Sequence, residues 1–186
     1  MNIQGFIQLS CGRWFTQRTC HPLGGMTSEA QAAQLEISSL KEDELEVVNL
    51  CKTAGFDPKL ALCAARLSWQ SQGFSSQPQE NGTLLMVPMA SNASEQQGQL
   101  LQQGADGAVR QLNFHIDADQ RLILTGVHDQ RVLEEQIWFA SPNLRLRISI
   151  LKQVGQLVQA TWYSEVRMGE VATPASDKRV TSVSTP

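Results

Sequence analysis

From Leu144 to Ile150 the chain alternates without a break. Leu144, Leu146, Ile148 and Ile150 fall on one side, and Arg145, Arg147 and Ser149 on the other. Successive side chains of a strand point to opposite faces, so this period of two requires a β-strand. Segments of the same kind recur after residue 80: GTLLMVPMA, GQLLQQG, AVRQLNFHIDADQRLILTGVHD, EEQIWFA and QLVQATWYSEVRM. Turn-forming clusters part them. Asp117 to Gln120 predicts a hairpin turn, Ser141-Pro142-Asn143 a second break, and ASNASEQQG a polar turn. Many short strands with close turns predict an all-β fold, either a sandwich or a closed antiparallel barrel. A barrel leaves no sheet edge exposed and can enclose a ligand.

The N-terminal third is more mixed. QLSCGRWFTQRTC, residues 8 to 20, predicts a strand with Trp14, Thr16 and Arg18 on one face, and QLEISSL, residues 34 to 40, a second. KEDELEVVNLCKTAG predicts a helix, with acidic residues at its positive end and Gly55 as its stop. Its apolar stripe reads Leu45, Val48 and then Cys51 or Lys52. Asp57-Pro58 opens a short helical turn, and a strand resumes near Leu67 to Gln70. Residues 1–171 are expected to form one domain, and the small polar run 172–186, ATPASDKRVTSVSTP, a disordered tail.

Several functional classes are excluded by composition. A net charge of -3 gives no general attraction for nucleic acid or anionic membrane. No apolar run approaches the roughly 20 residues of a membrane span, and MNIQGFIQLSCGRWF lacks the basic start of a secretory signal. Cys11, Cys20, Cys51 and Cys63 form no C-x-x-C pair, and His21, His115 and His128 are far apart, so no metal site is expected. Free thiols in a reducing cytoplasm fit this pattern. Nucleophile elbows and phosphate loops are also missing.

The two arginines of the alternating strand leave two readings open. They are solvated on a barrel exterior, with the aliphatic face buried, or they line a lumen and clamp a carboxylate or phosphate with their planar donor forks. Trp14, Trp69, Trp138 and Trp162 read first as core. Tyr163, Glu165 and Arg167 share one face of their strand, opposite Trp162 and Ser164. Glu134 and Glu135 are adjacent, so they point opposite ways and are no acid–base pair. If one faces inward, it needs an arginine or a ligand N–H as partner.

The motifs GRWFTQRTCH, NLCKTAGFDPKLALCAARLSW, TLLMVP, GQLL, IWFASPNLRLRIS and TWYSEVR stand in that order. Together they resemble the CpcS/CpeS-type phycobiliprotein lyases over about residues 3 to 168. The resemblance implies a lipocalin-like (calycin) antiparallel barrel of about ten strands, with one or two short helices in the N-terminal half. It implies an enzyme of the cyanobacterial cytoplasm that attaches phycobilisome pigment. Such a lyase binds an open-chain bilin (phycocyanobilin or phycoerythrobilin) as substrate and keeps no permanent cofactor. It joins the bilin by a thioether to one cysteine of a phycobiliprotein apo-subunit, so the nucleophile belongs to the acceptor.

Carried over residue by residue, the family's R-T arginine falls on Arg18 and its N-L-R-L-R pair on Arg145 and Arg147, with Ser149 beyond. These would hold the bilin propionates. Glu135, just before the I-W-F motif, would contact the pyrrole nitrogens or protonate the conjugated system, with Arg18 and Arg147 beside it in the catalytic set. Trp69 would stack on the chromophore. The chain departs from the family at Gln102, Gln136, Ser71, Met89-Ala90-Ser91 and Gly104 to Gly107, which predicts polar groups lost near the pocket. The alternatives are a non-catalytic partner of a paralogous lyase subunit, a bilin carrier, and a general lipocalin-like binder of apolar acids; the expected assembly is a homodimer or a heterodimer with a paralogous lyase subunit.

Overall fold

The computed structural model describes residues 1–24, 27–72, 81–91 and 94–169. Ten antiparallel strands run in chain order: β1 (Gly12–Pro22), β2 (Glu29–Leu40), β3 (Ala64–Gln72), β4 (Asn81–Ser91), β5 (Ser94–Gly104), β6 (Val109–Ile116), β7 (Leu122–His128), β8 (Arg131–Ser141), β9 (Leu144–Gln153) and β10 (Gln156–Met168). Each pairs with its sequence neighbour. β10 also pairs with β1, from Arg13↔Met168 to Pro22↔Gln159, and closes the sheet into a barrel. The hairpin turn at Asp117 to Gln120 and the break at Ser141 to Asn143 stand where the sequence places them. The polar turn expected over ASNASEQQG is shorter: β5 already runs from Ser94, and Gly98 pairs with Ala90. The run 172–186 lies outside the described residues.

The strand expected from Gln8 begins only at Gly12. Before it stands a helix, α1 (Ile3–Ser10), which the sequence reading missed. Asn2 caps it by accepting the Gly5 N–H at 2.9 Å. Ile3, Phe6, Ile7 and Ser10 recur at helical spacing and are all buried. They pack beneath one end of the barrel on Trp14, Leu122, Leu124 and Phe139, with the Phe6 and Phe139 rings 5.3 Å apart. A helix end leaves carbonyls unsatisfied. Here Arg167, near the end of β10, donates to the carbonyls of Leu9 (2.5 Å) and Cys11 (2.7 Å), while the Trp14 indole N–H takes that of Ser10 (2.8 Å). The last strand thus fastens the first helix.

A second helix, α2 (Leu45–Thr53), is capped by Ala54 and followed by Gly55, whose φ of +81° suits glycine. Its buried stripe is Val47, Leu50 and Cys51, one step round from the stripe expected, and Leu45 is 75% exposed. The difference follows from what the helix covers. Leu85, Val87, Met89 and Leu101 point outward from β4 and β5, and α2 lies over them as a small second core. Asp57 accepts the Lys59 N–H at the head of a 3₁₀ turn, Pro58–Leu60, which returns the chain to β3.

Candidate functional site

β1, β10, β9 and β8 lie side by side, and their register aligns the inward side chains in rungs. One rung is Thr16, Glu165, Arg145 and Phe139; the next is Arg18, Tyr163, Arg147 and Ile137; the third is Cys20, Thr161, Ser149 and Glu135. The arginine face therefore looks into the lumen. The aliphatic face, expected to be buried, looks out. Period two defines two faces but does not say which is inside. The choice is made by carboxylates that other strands bring to the arginines.

The lumen holds a cavity of about 330 Å³, within the range of small-molecule sites. Phe6, Ile7 and Ser10 of α1 form part of its lining, so the helix closes that end. Ile37, Leu67, Leu84, Met86, Leu122 and Leu124 supply much of its apolar wall. Against that wall stand three arginines and two glutamates: Arg18, Arg145, Arg147, Glu135 and Glu165. The excess of one positive charge in an apolar cavity suits an anionic ligand with apolar bulk.

Arg145 donates its Nε–H to Glu165 at 2.5 Å, with side chains only 7% and 2% exposed. Its guanidinium carbon lies 5.0 Å from the Trp14 ring, and Arg167 sits 4.1 Å from the same ring. Arg147 donates to Glu135 and stacks 4.7 Å from the Tyr163 ring. Burial disfavours the Arg147 charge, but the fields of Glu135 and then Tyr163 outweigh it and hold the group more firmly protonated than a free arginine. Arg18 donates to Gln31. Two buried polar atoms of these rungs, Thr16 Oγ1 and Arg147 Nε, have no partner among the described residues. A polar atom left so costs free energy, which a ligand atom bonded to it would recover.

Of the residues singled out from sequence, Arg18, Trp69, Glu135, Arg145 and Arg147 all line the cavity. Ser149 shares their inward face one rung beyond Arg147, but does not line it. Trp69 lies across Gly82: a Cβ there would come within 2.2 Å of the indole. Thr16, Gln31, Tyr163 and Glu165 also line the cavity and were not picked as site residues. Tyr163 and Glu165 had been placed on one strand face, and only their register with Arg147 and Arg145 marks them. Glu134, by contrast, faces out and pairs with Lys152 at 2.7 Å.

The departures from the family pattern divide accordingly. Gln102 and Ser71 do line the cavity. Gln136 is exposed opposite Ile148, and Met89 is buried beneath α2, so neither removes a polar group from the lumen. The cysteines are all free; Cys51 is buried and the others half-buried. Burial pushes the Cys63 thiol up to about 12. Among the described residues no helix is long and apolar enough to cross a membrane.

The family model for CpeS-like proteins matches residues 2–168. The chromophore lyase CpcS/CpeS of Thermosynechococcus vestitus is 38% identical over 95% of this chain and 97% of its own. The phycocyanobilin lyase subunit CpcS of a Picosynechococcus species is 26% identical, over 88% of this chain and 84% of that one. Among solved structures, the S-type phycobiliprotein lyase CPES of Guillardia theta superposes with a TM-score of 0.78 at 29% identity, covering 92% of this chain and 95% of that one. A ten-stranded barrel whose apolar lumen carries these ion pairs, matched along nearly all its described length, belongs to the CpeS-like family.

Proposed function

We propose that this chain is a phycobiliprotein lyase. It takes an open-chain bilin into the barrel and catalyses thioether formation with a cysteine of a phycobiliprotein subunit. The observation that carries this reading is the set of guanidinium–carboxylate pairs inside an apolar cavity, beside two buried polar atoms that have no partner among the described residues. A bilin has the matching chemistry: a long conjugated body, two propionates and a row of pyrrole nitrogens.

In this reading Arg18, Arg145 and Arg147 hold the propionates through charge-assisted hydrogen bonds. Glu135 faces the pyrrole nitrogens, Trp69 stacks on the ring system, and Ser149 offers a hydroxyl one rung further on. The bond forms between the acceptor's sulfur and the exocyclic carbon of ring A. The exocyclic double bond opens, its electrons move into the conjugated system, and a proton adds there. No group leaves. Glu135, Arg147 and Arg18 would favour the step by stabilising the protonated, more electrophilic bilin and by fixing one orientation for attack.

The decisive experiment is transfer. The purified chain is mixed with phycocyanobilin or phycoerythrobilin and a panel of apo-subunits, with and without a paralogous lyase subunit. Covalent adducts are read by zinc fluorescence on denaturing gels. A cysteine-specific adduct formed faster than the spontaneous one establishes the lyase. The name of one relative, a lyase subunit, favours a second reading as part of a heteromeric enzyme. An adduct formed only with the second subunit supports that reading. Binding with no acceleration in either condition makes the chain a carrier.

A further inference from the structure

Thioether formation needs a proton for the conjugated system of the bilin, and few groups in the cavity can supply it. Among the described residues, the titratable side chains that line it are Arg18, Arg145, Arg147, Glu135, Glu165 and Tyr163. No histidine or cysteine stands with them. Glu135 accepts from Arg147, and Glu165 accepts from Arg145 at 2.5 Å. A carboxylate held in an ion pair is an acceptor and has no proton to give, and a guanidinium does not release one. Tyr163 is left, and a phenol is one of the side-chain acids used in general acid catalysis. We propose, on the lyase reading, that Tyr163 is the general acid of the reaction and delivers this proton to the bilin.

Strand register places Tyr163 where its conjugate base would be held. It pairs with Arg18 of β1 on one side and with Arg147 of β9 on the other, so the three share one inward rung. Directly opposed side chains of neighbouring strands have Cβ atoms about 4.5 to 5.5 Å apart. The Arg147 guanidinium carbon lies 4.7 Å from the centre of the Tyr163 ring. A phenolate formed there meets a positive group on each flank, and in an apolar cavity that attraction is stronger than in water. The negative groups that act on this rung are Glu135, bonded to Arg147, and Glu165, two residues along β10, and each is itself paired with an arginine.

The proton count closes on this residue. The acceptor's sulfur forms the S–C bond, and the phenol proton passes to the conjugated system. The electrons of the O–H bond stay on the phenolate oxygen. The proton of the acceptor's thiol then restores the phenol. Nothing is oxidised or reduced, and no group leaves.

The chain has one tyrosine, so growth on fluorotyrosine places a more acidic phenol at position 163 alone. Single-turnover transfer of phycocyanobilin or phycoerythrobilin to the best acceptor of the apo-subunit panel is followed across pH. Wild type, Tyr163→Phe and the fluorotyrosine chain are compared, with bilin affinity taken from absorption titration. Tyr163→Phe keeps the ring against Arg147, so it should bind bilin within about threefold of wild type yet transfer it at least about 100-fold more slowly, the least that a general acid contributes. A general acid works in its protonated form, so the rate falls as pH rises through its ionisation. The alkaline limb of the fluorotyrosine chain should therefore lie at lower pH, a shift that a merely structural tyrosine would not produce. Tyr163→Phe transferring within about tenfold of wild type overturns the assignment and leaves the lyase reading standing. An alkaline limb that fluorination does not move does the same, and so does a Tyr163→Phe chain that loses bilin binding along with transfer. A wild-type chain no faster than spontaneous addition overturns both.

Discussion

Replacing Glu165 by glutamine keeps the shape of the Arg145 partner and removes its charge. The consequence can be sized from the geometry. Arg145 is 7% exposed and Glu165 2% exposed, so water cannot take over the lost interaction. Arg145 would keep its charge beside the Trp14 ring, with the second guanidinium, Arg167, on that same ring. Breaking a buried pair by removing one partner costs about 3 to 5 kcal/mol, because an uncompensated charge is left behind. That is a large part of the roughly 5 to 15 kcal/mol that holds a domain folded. At about 2 to 4 °C per kcal/mol for a chain of this size, Tm should fall by roughly 6 to 20 °C. Circular dichroism melts and urea titrations would measure it. The double variant Arg145→Met/Glu165→Leu removes both charges and should come back to within about 2 kcal/mol of wild type. Bilin should raise the Tm of Glu165→Gln more than that of wild type, since a propionate restores the lost charge. If Glu165→Gln lies within about 1 kcal/mol of wild type, the pair is not desolvated as described and the reasoning fails.

Four further outcomes are expected. Arg147→Ala should weaken bilin binding by roughly 10- to 150-fold, the equivalent of one charge-assisted hydrogen bond of about 1.5 to 3 kcal/mol, without unfolding the barrel; absorption titration measures it, and unaltered affinity would sink the clamp. Gly82→Ala should push the Trp69 indole off its seat, shifting tryptophan emission and weakening bilin binding while leaving the barrel folded. Val154, at a φ of +51° on the tip of the β9–β10 hairpin, is a β-branched residue in the left-handed region, and Val154→Asn should raise stability by about 1 kcal/mol in urea titration. Folded Cys63 ionises only at about 12, against an ordinary 9.0. Above pH 9 the unfolded chain therefore binds fewer protons than the folded one, and stability falls as pH rises. The Cys63 contribution is complete below about pH 9 and is lost between there and about 12, so Cys63→Ala should flatten the alkaline limb of the Tm–pH curve.

What could be read from sequence depended on how local its cause was. The strands after residue 80 were legible because period two and turn chemistry are local signals. Gly55 and Asp57-Pro58 marked ends and starts for the same reason. α1 was not legible as a helix, since eight residues containing Gly5, Phe6 and two isoleucines carry weak helical propensity. The signal present was Asn2 ahead of Ile3, Phe6 and Ile7 at helical spacing. The direction of the arginine face was beyond any local pattern. It rests on Glu165 and Glu135, which lie 20 and 12 residues from their arginines and meet them only through strand register. The exposed Trp162 was misread for a related reason: an uncharged outward row looks the same in sequence as a buried one. The tight hairpin at Val154-Gly155 lacked the Asn-Gly signature and was not marked.

The closure between β1 and β10 sets an order on the making of this molecule. Arg167 reaches the Cys11 carbonyl across 156 residues of chain. At about 5 to 20 residues per second of synthesis, the N-terminal strand waits roughly 8 to 30 s for its partner. Through that interval the nascent sheet has two open edges, and the helix that will floor the lumen has no arginine to hold its last carbonyls. Contacts so distant in sequence also make the final step slow after release. The pocket therefore comes into being last and all at once. A chain stopped before β10 is no weaker binder of pigment but a sheet without an inside.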